Sequence, residues 1–129
     1  MPRAIGQELP SGGCLLAITY YGGQKAVPQY GVMGPVKGAL ETAIAYMALE
    51  LGEKGIRVNA ISPGPVATRS ASGLKHFEEL LDHAAKRAPE RRLVTPDDVG
   101  ALAAFLVSDA ASAMTGNISY VDAGYHAMG

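Results

Sequence analysis

Cys14-Leu15-Leu16-Ala17-Ile18-Thr19 is a nearly unbroken apolar run, closed in by Gly12-Gly13 before it and Gly22-Gly23 after it. A strand with one wet face alternates apolar and polar residues. This run does not, so it predicts a strand buried on both faces, as in parallel sheets. The period then changes. Val36, Leu40, Ala43, Ile44, Met47 and Leu51 recur at steps of three and four, which lines one side of a helix. Pro35 suits a first turn and Gly52 a stop, so this helix runs from about Val32–Pro35 to Leu51.

The same grammar repeats downstream. Arg57-Val58-Asn59-Ala60-Ile61 predicts a second strand, broken by Pro63-Gly64-Pro65. Leu74, Phe77, Leu81, Ala84 and Ala88 predict one face of a second helix, ended by Pro89. A third helix opens with Thr95 as N-cap, Pro96 in first position and Asp98 completing a capping box. Val99, Leu102, Ala103 and Leu106 form its expected buried stripe, and Ile118 to Val121 predicts a last strand before an Asp122-Ala123-Gly124 turn. Strands alternating with amphipathic helices give an α/β fold: a partial doubly wound, Rossmann-like parallel sheet of three strands with flanking helices. A complete sheet of this kind has about six strands, so half of one is expected.

Composition narrows the function classes. Eleven basic and twelve acidic residues leave a formal charge of −1, which offers no attraction to nucleic acid or an anionic membrane. Lys86-Arg87 and Arg91-Arg92 read as a solvated helix end. The single cysteine, Cys14, sits in an apolar run as a small hydrophobe and fits a reducing cytoplasm. No apolar segment of about 20 residues is present to span a bilayer, and Met1 to Pro10 does not read as a signal peptide. His76 and His83, near Asp82, lack zinc-type ligand spacing, so no metal is expected; His126 lies in the tail.

Chemistry concentrates between Thr19 and Lys37. Tyr20 falls at the carboxyl end of the first strand, where open α/β sheets bind ligands. Tyr30 precedes the helix and Lys37 lies in its first turns. A phenol with a pKa of about 10 is a useful proton donor when its anion is stabilised, and a lysine ammonium supplies that field. Tyrosine and lysine seven apart are uninformative alone; their surroundings are not. Tyr20, then Tyr30 ten residues on, then Lys37, with Val27-Pro28, Val32-Met33-Gly34 between, closely resembles the active-site segment of the NADH-dependent enoyl-acyl-carrier-protein reductases, divergent short-chain dehydrogenases/reductases. The usual members of that larger family separate tyrosine and lysine by three residues; the enoyl reductases use six, as here. Gly55 to Thr68 is similar to the family's second signature, Ser72 to Phe77 to its substrate-binding loop, Arg91 to Gly100 to the opening of its next helix, and Ser112 to Gly124 to its final strand.

The resemblance implies hydride transfer from NADH to a trans-2-enoyl thioester on acyl carrier protein, in type II fatty acid synthesis. It implies catalytic roles for Tyr20, Tyr30 and Lys37. Tyr30 bonds the thioester oxygen and nicotinamide ribose, Lys37 binds the ribose hydroxyls, Tyr20 lines the substrate pocket and assists protonation, and Met33 touches the acyl chain or the ribose. Gly64, Val66, Ala67, Thr68, Arg69 and Ser70 are implied to lie along the cofactor, with the Val66 backbone and Thr68 at the nicotinamide carboxamide and pyrophosphate. It also implies a cytoplasmic homotetramer assembled through the long helix, by the face of Val36, Leu40, Ile44 and Met47. No glycine-rich cofactor turn precedes Gly12. Residues 1–129 are therefore expected to be the C-terminal portion of a Rossmann-like reductase domain, without its cofactor-binding half and inactive in isolation. A 3-oxoacyl reductase fits less well, given the six-residue gap and Tyr20 in the place of serine; a non-catalytic assembly module is the other alternative.

Overall fold

The computed structural model describes residues 12–66 and 77–129. Three strands, β1 (Cys14–Ile18), β2 (Arg57–Pro63) and β3 (Ile118–Val121), form one parallel sheet in the order β1-β2-β3. Three helices accompany them: α1 (Met33–Leu51), α2 (Phe77–Arg87) and α3 (Pro96–Val107). This is the expected partial Rossmann-like α/β sheet.

Register decides which helix covers which face. Leu15 pairs with Val58 and Ala17 with Ala60, while Ala60 also pairs with Ile118. Successive side chains on a strand point to opposite faces, so these residues share one. They pack there with Ile44 and Leu51 of α1 and with Ile56. Cys14 and Arg57 point the other way, and both reach the Leu106 carbonyl at the end of α3. The two helices therefore sandwich the sheet, which explains why β1 and β2 carry apolar residues on both faces. Ile56, Val58, Ile61 and Leu106 are completely enclosed, each side chain of that size contributing roughly 1.5–3 kcal/mol on burial.

Three expectations are corrected. The first is the α1 stripe: Ile44 and Leu51 are buried and Met47 is partly covered, but Val36 is 49% exposed. Leu40 and Ala43 are half-buried as expected, and the exposed Tyr46 and Leu49 lie outside the stripe; Val36 is on the same side as the rest, so the period found the sheet face but not how far along the helix that face is covered. The second is strand β2, which continues through Ser62 and Pro63. Pro63 pairs with Val121 without an amide to give, because the donor to β3 comes from the next residue, Gly64, whose amide bonds the Val121 carbonyl at 2.8 Å. In α3, finally, only Leu106 of the expected stripe is fully buried.

The capping box is present as expected. Thr95 Oγ1 accepts the Asp98 amide at 3.2 Å, and Asp98 Oδ2 accepts the Thr95 amide at 2.8 Å. Arg57, unremarked from sequence, is a staple between β2 and the turn after α3. Its guanidinium donates to the carbonyls of Leu106 (2.7 Å), Met114 (3.1 Å) and Ser108 (3.4 Å). Asn59 adds a bond to the Met114 carbonyl and accepts the Asn117 amide. These contacts hold the connection that delivers β3 to its place beside β2.

Candidate active site

Strand β1 ends where the sheet stops, and the chain turns through a short 3-10 segment, Tyr21–Gly23, that lies against the start of α1. The close approach depends on glycine. A Cβ on Gly22 would stand 2.6 Å from Cδ2 of Tyr30, and one on Gly23 would stand 2.9 Å from the Gly38 amide nitrogen. The facing helix residues, Gly34 and Gly38, are small as well. This contact sets the Tyr30 ring down on the Gly22 backbone. Tyr30 itself is flanked by two left-handed residues, Gln29 (φ 67°) and Gly31 (φ 58°). For glutamine that conformation is uncommon, and it turns the chain sharply enough to present Tyr30 just ahead of the helix.

The expected residues converge in part. The Tyr20 and Tyr30 rings meet edge to face at a centroid distance of 5.1 Å. Lys37 extends from α1 to the end of β1, its Nζ 3.4 Å from the Ile18 carbonyl. Both tyrosines and the lysine are thus gathered at the carboxyl end of β1. Met33 opens α1 and is 40% exposed. Gly64 and Val66 follow β2, and a Cβ on Gly64 would lie 2.9 Å from Cβ of Asp122, so this turn packs directly on the end of β3. Ala67, Thr68, Arg69 and Ser70 lie outside the described residues, as do Leu74 and His76. Two surface depressions flank the tyrosine loop, of about 380 Å³ and 290 Å³. The first is lined by Tyr30 and Lys25, the second by Tyr21, Lys25, Arg87 and Tyr125; neither brings Tyr20, Tyr30 and Lys37 onto a common wall.

Electrostatics run against one expectation. Burial, then the neighbouring Tyr125 and Tyr30 phenols, push Tyr20 up to about 12. Burial also raises Tyr30, and burial with a hydrogen bond to Tyr125 raises Tyr21. Lysine is not among the groups that shift them, and the Lys37 ammonium bonds the Ile18 carbonyl. The phenols are therefore protonated at neutral pH, and in that state they are hydrogen-bond donors.

Several contributors were not visible in the sequence. Tyr21 and Tyr125 extend the aromatic row beyond Tyr20, with centroid distances of 5.1 Å and 5.6 Å along it. His126 is no loose tail residue: its ring stacks on Tyr120 at 3.7 Å, and its Nδ1 lies 2.9 Å from Asp122 Oδ2. The Tyr120 hydroxyl donates to the Gln24 side chain, and Lys25 Nζ donates to the His126 carbonyl at 3.0 Å. The Asp-Ala-Gly turn after β3 thereby anchors the tyrosine loop from the side opposite α1. Glu41 is a further contact, accepting a bond from Thr19 at 3.0 Å. Only a parallel sheet that places β3 two strands from β1 brings these distant segments together. Among the described residues no cluster of metal ligands exists, and no described helix is long and apolar enough to cross a membrane.

The sequence and the fold have counterparts among known proteins. The chain is 45% identical along its whole length to the NADH enoyl-acyl-carrier-protein reductase of Rickettsia typhi, of which it covers 49%. It is 48% identical to enoyl-acyl-carrier-protein reductase 1 of Rhizobium meliloti over 92% of this chain and 43% of that protein. The crystal structure of the Bacillus cereus enoyl-acyl carrier protein reductase, which holds NADP+ and an indole naphthyridinone, superposes with a TM-score of 0.93 at 46% identity, covering 98% of this chain and 49% of that one. The Anaplasma phagocytophilum enzyme, in complex with NAD, gives a TM-score of 0.87 at 44% identity over 96% of this chain and 45% of that one. The chain spans about half the length of the curated relatives it matches. Half the length of its relatives is nonetheless nearly the whole of this sequence: the enoyl-(acyl carrier protein) reductase family profile matches residues 1–126, and the chain belongs to that family.

Proposed function

We propose that the chain furnishes the tyrosine–lysine side of an NADH-dependent enoyl-acyl-carrier-protein reductase acting in the cytoplasm on trans-2-enoyl thioesters. The observation that carries this reading is the gathering of Tyr20, Tyr30 and Lys37 at the carboxyl end of β1. The residues suit a nicotinamide nucleotide. A ribose diol needs a cation with donors to spare, and Lys37 Nζ spends one, on a long 3.4 Å bond. NADH, when bound, supplies hydride to the β-carbon of the enoyl thioester.

Each residue then has a stated task. Tyr30, protonated, donates a hydrogen bond to the thioester oxygen as negative charge develops there. Lys37 holds the ribose hydroxyls and adds positive potential. Tyr20 and Met33 bound the acyl chain, and the turn from Gly64 through Val66 to Ala67, Thr68, Arg69 and Ser70 borders the cofactor. The remainder of a Rossmann-like domain, including a glycine-rich turn, lies outside these 129 residues in this reading. Activity therefore requires that half.

Self-association belongs to the same proposal, through a different surface from that expected. Ile44 is buried against the sheet, so Val36, Leu40, Ile44 and Met47 do not form one free face. The outer side of α1 carries Tyr46 and Leu49, three residues apart and 64% and 75% exposed. Contiguous apolar exposure of this kind marks an interaction surface.

The test is reconstitution with the N-terminal half of the Bacillus cereus enzyme, following NADH oxidation with crotonyl thioester. Lys37→Ala is expected to weaken NADH binding by about 10–100-fold, as loss of charged hydrogen bonds does. Tyr30→Phe is expected to lower kcat by about 10²–10⁴-fold. Undiminished reduction with both residues changed would overturn the assignment, and unchanged NADH affinity in Lys37→Ala would remove its ribose role.

A further inference from the structure

We propose that Glu41 is a positioning residue for the tyrosine loop: through Thr19, its carboxylate ties the end of β1 to α1 and sets where Tyr20 and Tyr30 stand relative to Lys37. The inference rests on the catalytic reading of those three residues and adds a fourth that acts through them.

Thr19 is where the sheet ends and the loop begins. Its amide still donates to the Ile61 carbonyl at 2.8 Å, continuing the ladder, and the next residue is Tyr20. Its side chain is 2% exposed, and its hydroxyl donates to Glu41 Oε1 at 3.0 Å. The other oxygen of Glu41 faces the turn itself, 3.2 Å from where a Cβ on Gly23 would lie. One carboxylate therefore touches both the start and the bend of the loop. Glu41 follows Lys37 by four residues, one helical turn on the same side of α1. The bond joins positions 22 residues apart, and the segment it closes contains Tyr20, Tyr30 and Lys37.

A purely stabilising role accounts for less. No ion pair joins Glu41 to a cation among the described residues, and a half-buried carboxylate without one is costly to desolvate. An apolar residue at this sheet-facing position would serve packing better. What Glu41 provides is a side-chain oxygen that accepts from the buried Thr19 hydroxyl.

The test is fluorine NMR of the full chain carrying 3-fluorotyrosine, with resonances assigned by single Tyr→Phe changes. In Glu41→Ala the Tyr20 and Tyr30 signals are expected to shift or broaden, while that of Tyr46, 64% exposed on the outer side of α1, stays in place. Glu41→Gln retains an oxygen at the same reach and is expected to restore the original positions. Thr19→Val removes the donor without changing shape and is expected to reproduce Glu41→Ala, which keeps the test intact if that variant fails to fold. Unmoved Tyr20 and Tyr30 signals in either folded variant, or a Glu41→Gln spectrum as disturbed as that of Glu41→Ala, would overturn the proposal. No cofactor or substrate enters the measurement, so its outcome is separate from that of the reductase reading.

Discussion

Gly22 shows how little room the candidate site leaves around Tyr30. A methyl group there would overlap the ring edge at 2.6 Å, and the ring, not the backbone, is the part able to move. Gly22→Ala is expected to displace Tyr30 and lower kcat of the reconstituted enzyme by about 10²-fold, the cost of misplacing a reacting group by an ångström. NADH affinity, measured by fluorescence titration, should fall less than in Lys37→Ala, because Lys37 is untouched. Tyr20 makes a second prediction at this scale. Burial pushes its folded pKa up to about 12, above the ordinary tyrosine value of about 10. The stability it contributes is complete below pH 10 and is lost as pH rises through 12. Thermal melts are expected to fall over that window, and Tyr20→Phe should flatten part of the decline. Tyr20, Tyr30 and Lys37 were legible in the sequence because their spacing is specific. Tyr21, Tyr125, His126 and Glu41 were not, since a tyrosine, a histidine or a glutamate carries no spacing signal until the fold supplies its neighbour.

Among the elements, α3 is the one whose start is written in local chemistry. Thr95 and Asp98 satisfy each other's backbone amides, so Thr95→Ala is expected to cost about 1 kcal/mol in urea unfolding. Asp98 is held down to about 2, first by its bond to the Arg92 guanidinium and then by the Thr95 amide. Its folded value is below the unfolded one of 3.8, so its contribution is present above that pH and disappears as pH falls through about 2. Acid titration followed by circular dichroism should show Asp98→Asn insensitive where the parent chain weakens. Helix α1 illustrates the opposite case. Its period picked out the covered side, Leu40, Ala43, Ile44, Met47 and Leu51, but not where along the helix that cover ends, and Val36, on the same side near the start, is 49% exposed. Strand β2 is legible but runs two residues further than its sequence suggests, because Pro63 sits at a position whose amide the β3 ladder does not use and Gly64 supplies the next donor, to the Val121 carbonyl.

For the whole molecule, the order β1-β2-β3 leaves β1 at an edge. Its sequence is that of an interior strand, and Ile18 is 51% exposed there. Unpaired apolar edges associate. Sedimentation velocity on the isolated chain is expected to show oligomers or aggregates, and Ile18→Lys to shift the distribution toward monomer. A monomeric parent chain that unfolds cooperatively would contradict this account. The same geometry explains why the two surface depressions do not unite Tyr20, Tyr30 and Lys37: three strands form only part of the rim on which such sheets build their ligand crevices.

What these 129 residues determine by themselves is local: strand and helix periods, the capping box at Thr95, and the Tyr20–Tyr30–Lys37 spacing that names the family. Each of those signals spans a few turns of chain and needs no distant partner. Tertiary structure alone decided how far along α1 the sheet covers it, that Lys37 turns to the end of β1, and that Asp122 and His126 brace a loop about a hundred residues earlier, where Lys25 meets His126 at a separation of 101. Those outcomes depend on the order and register of β1, β2 and β3, and register is a contact between segments that no single segment encodes.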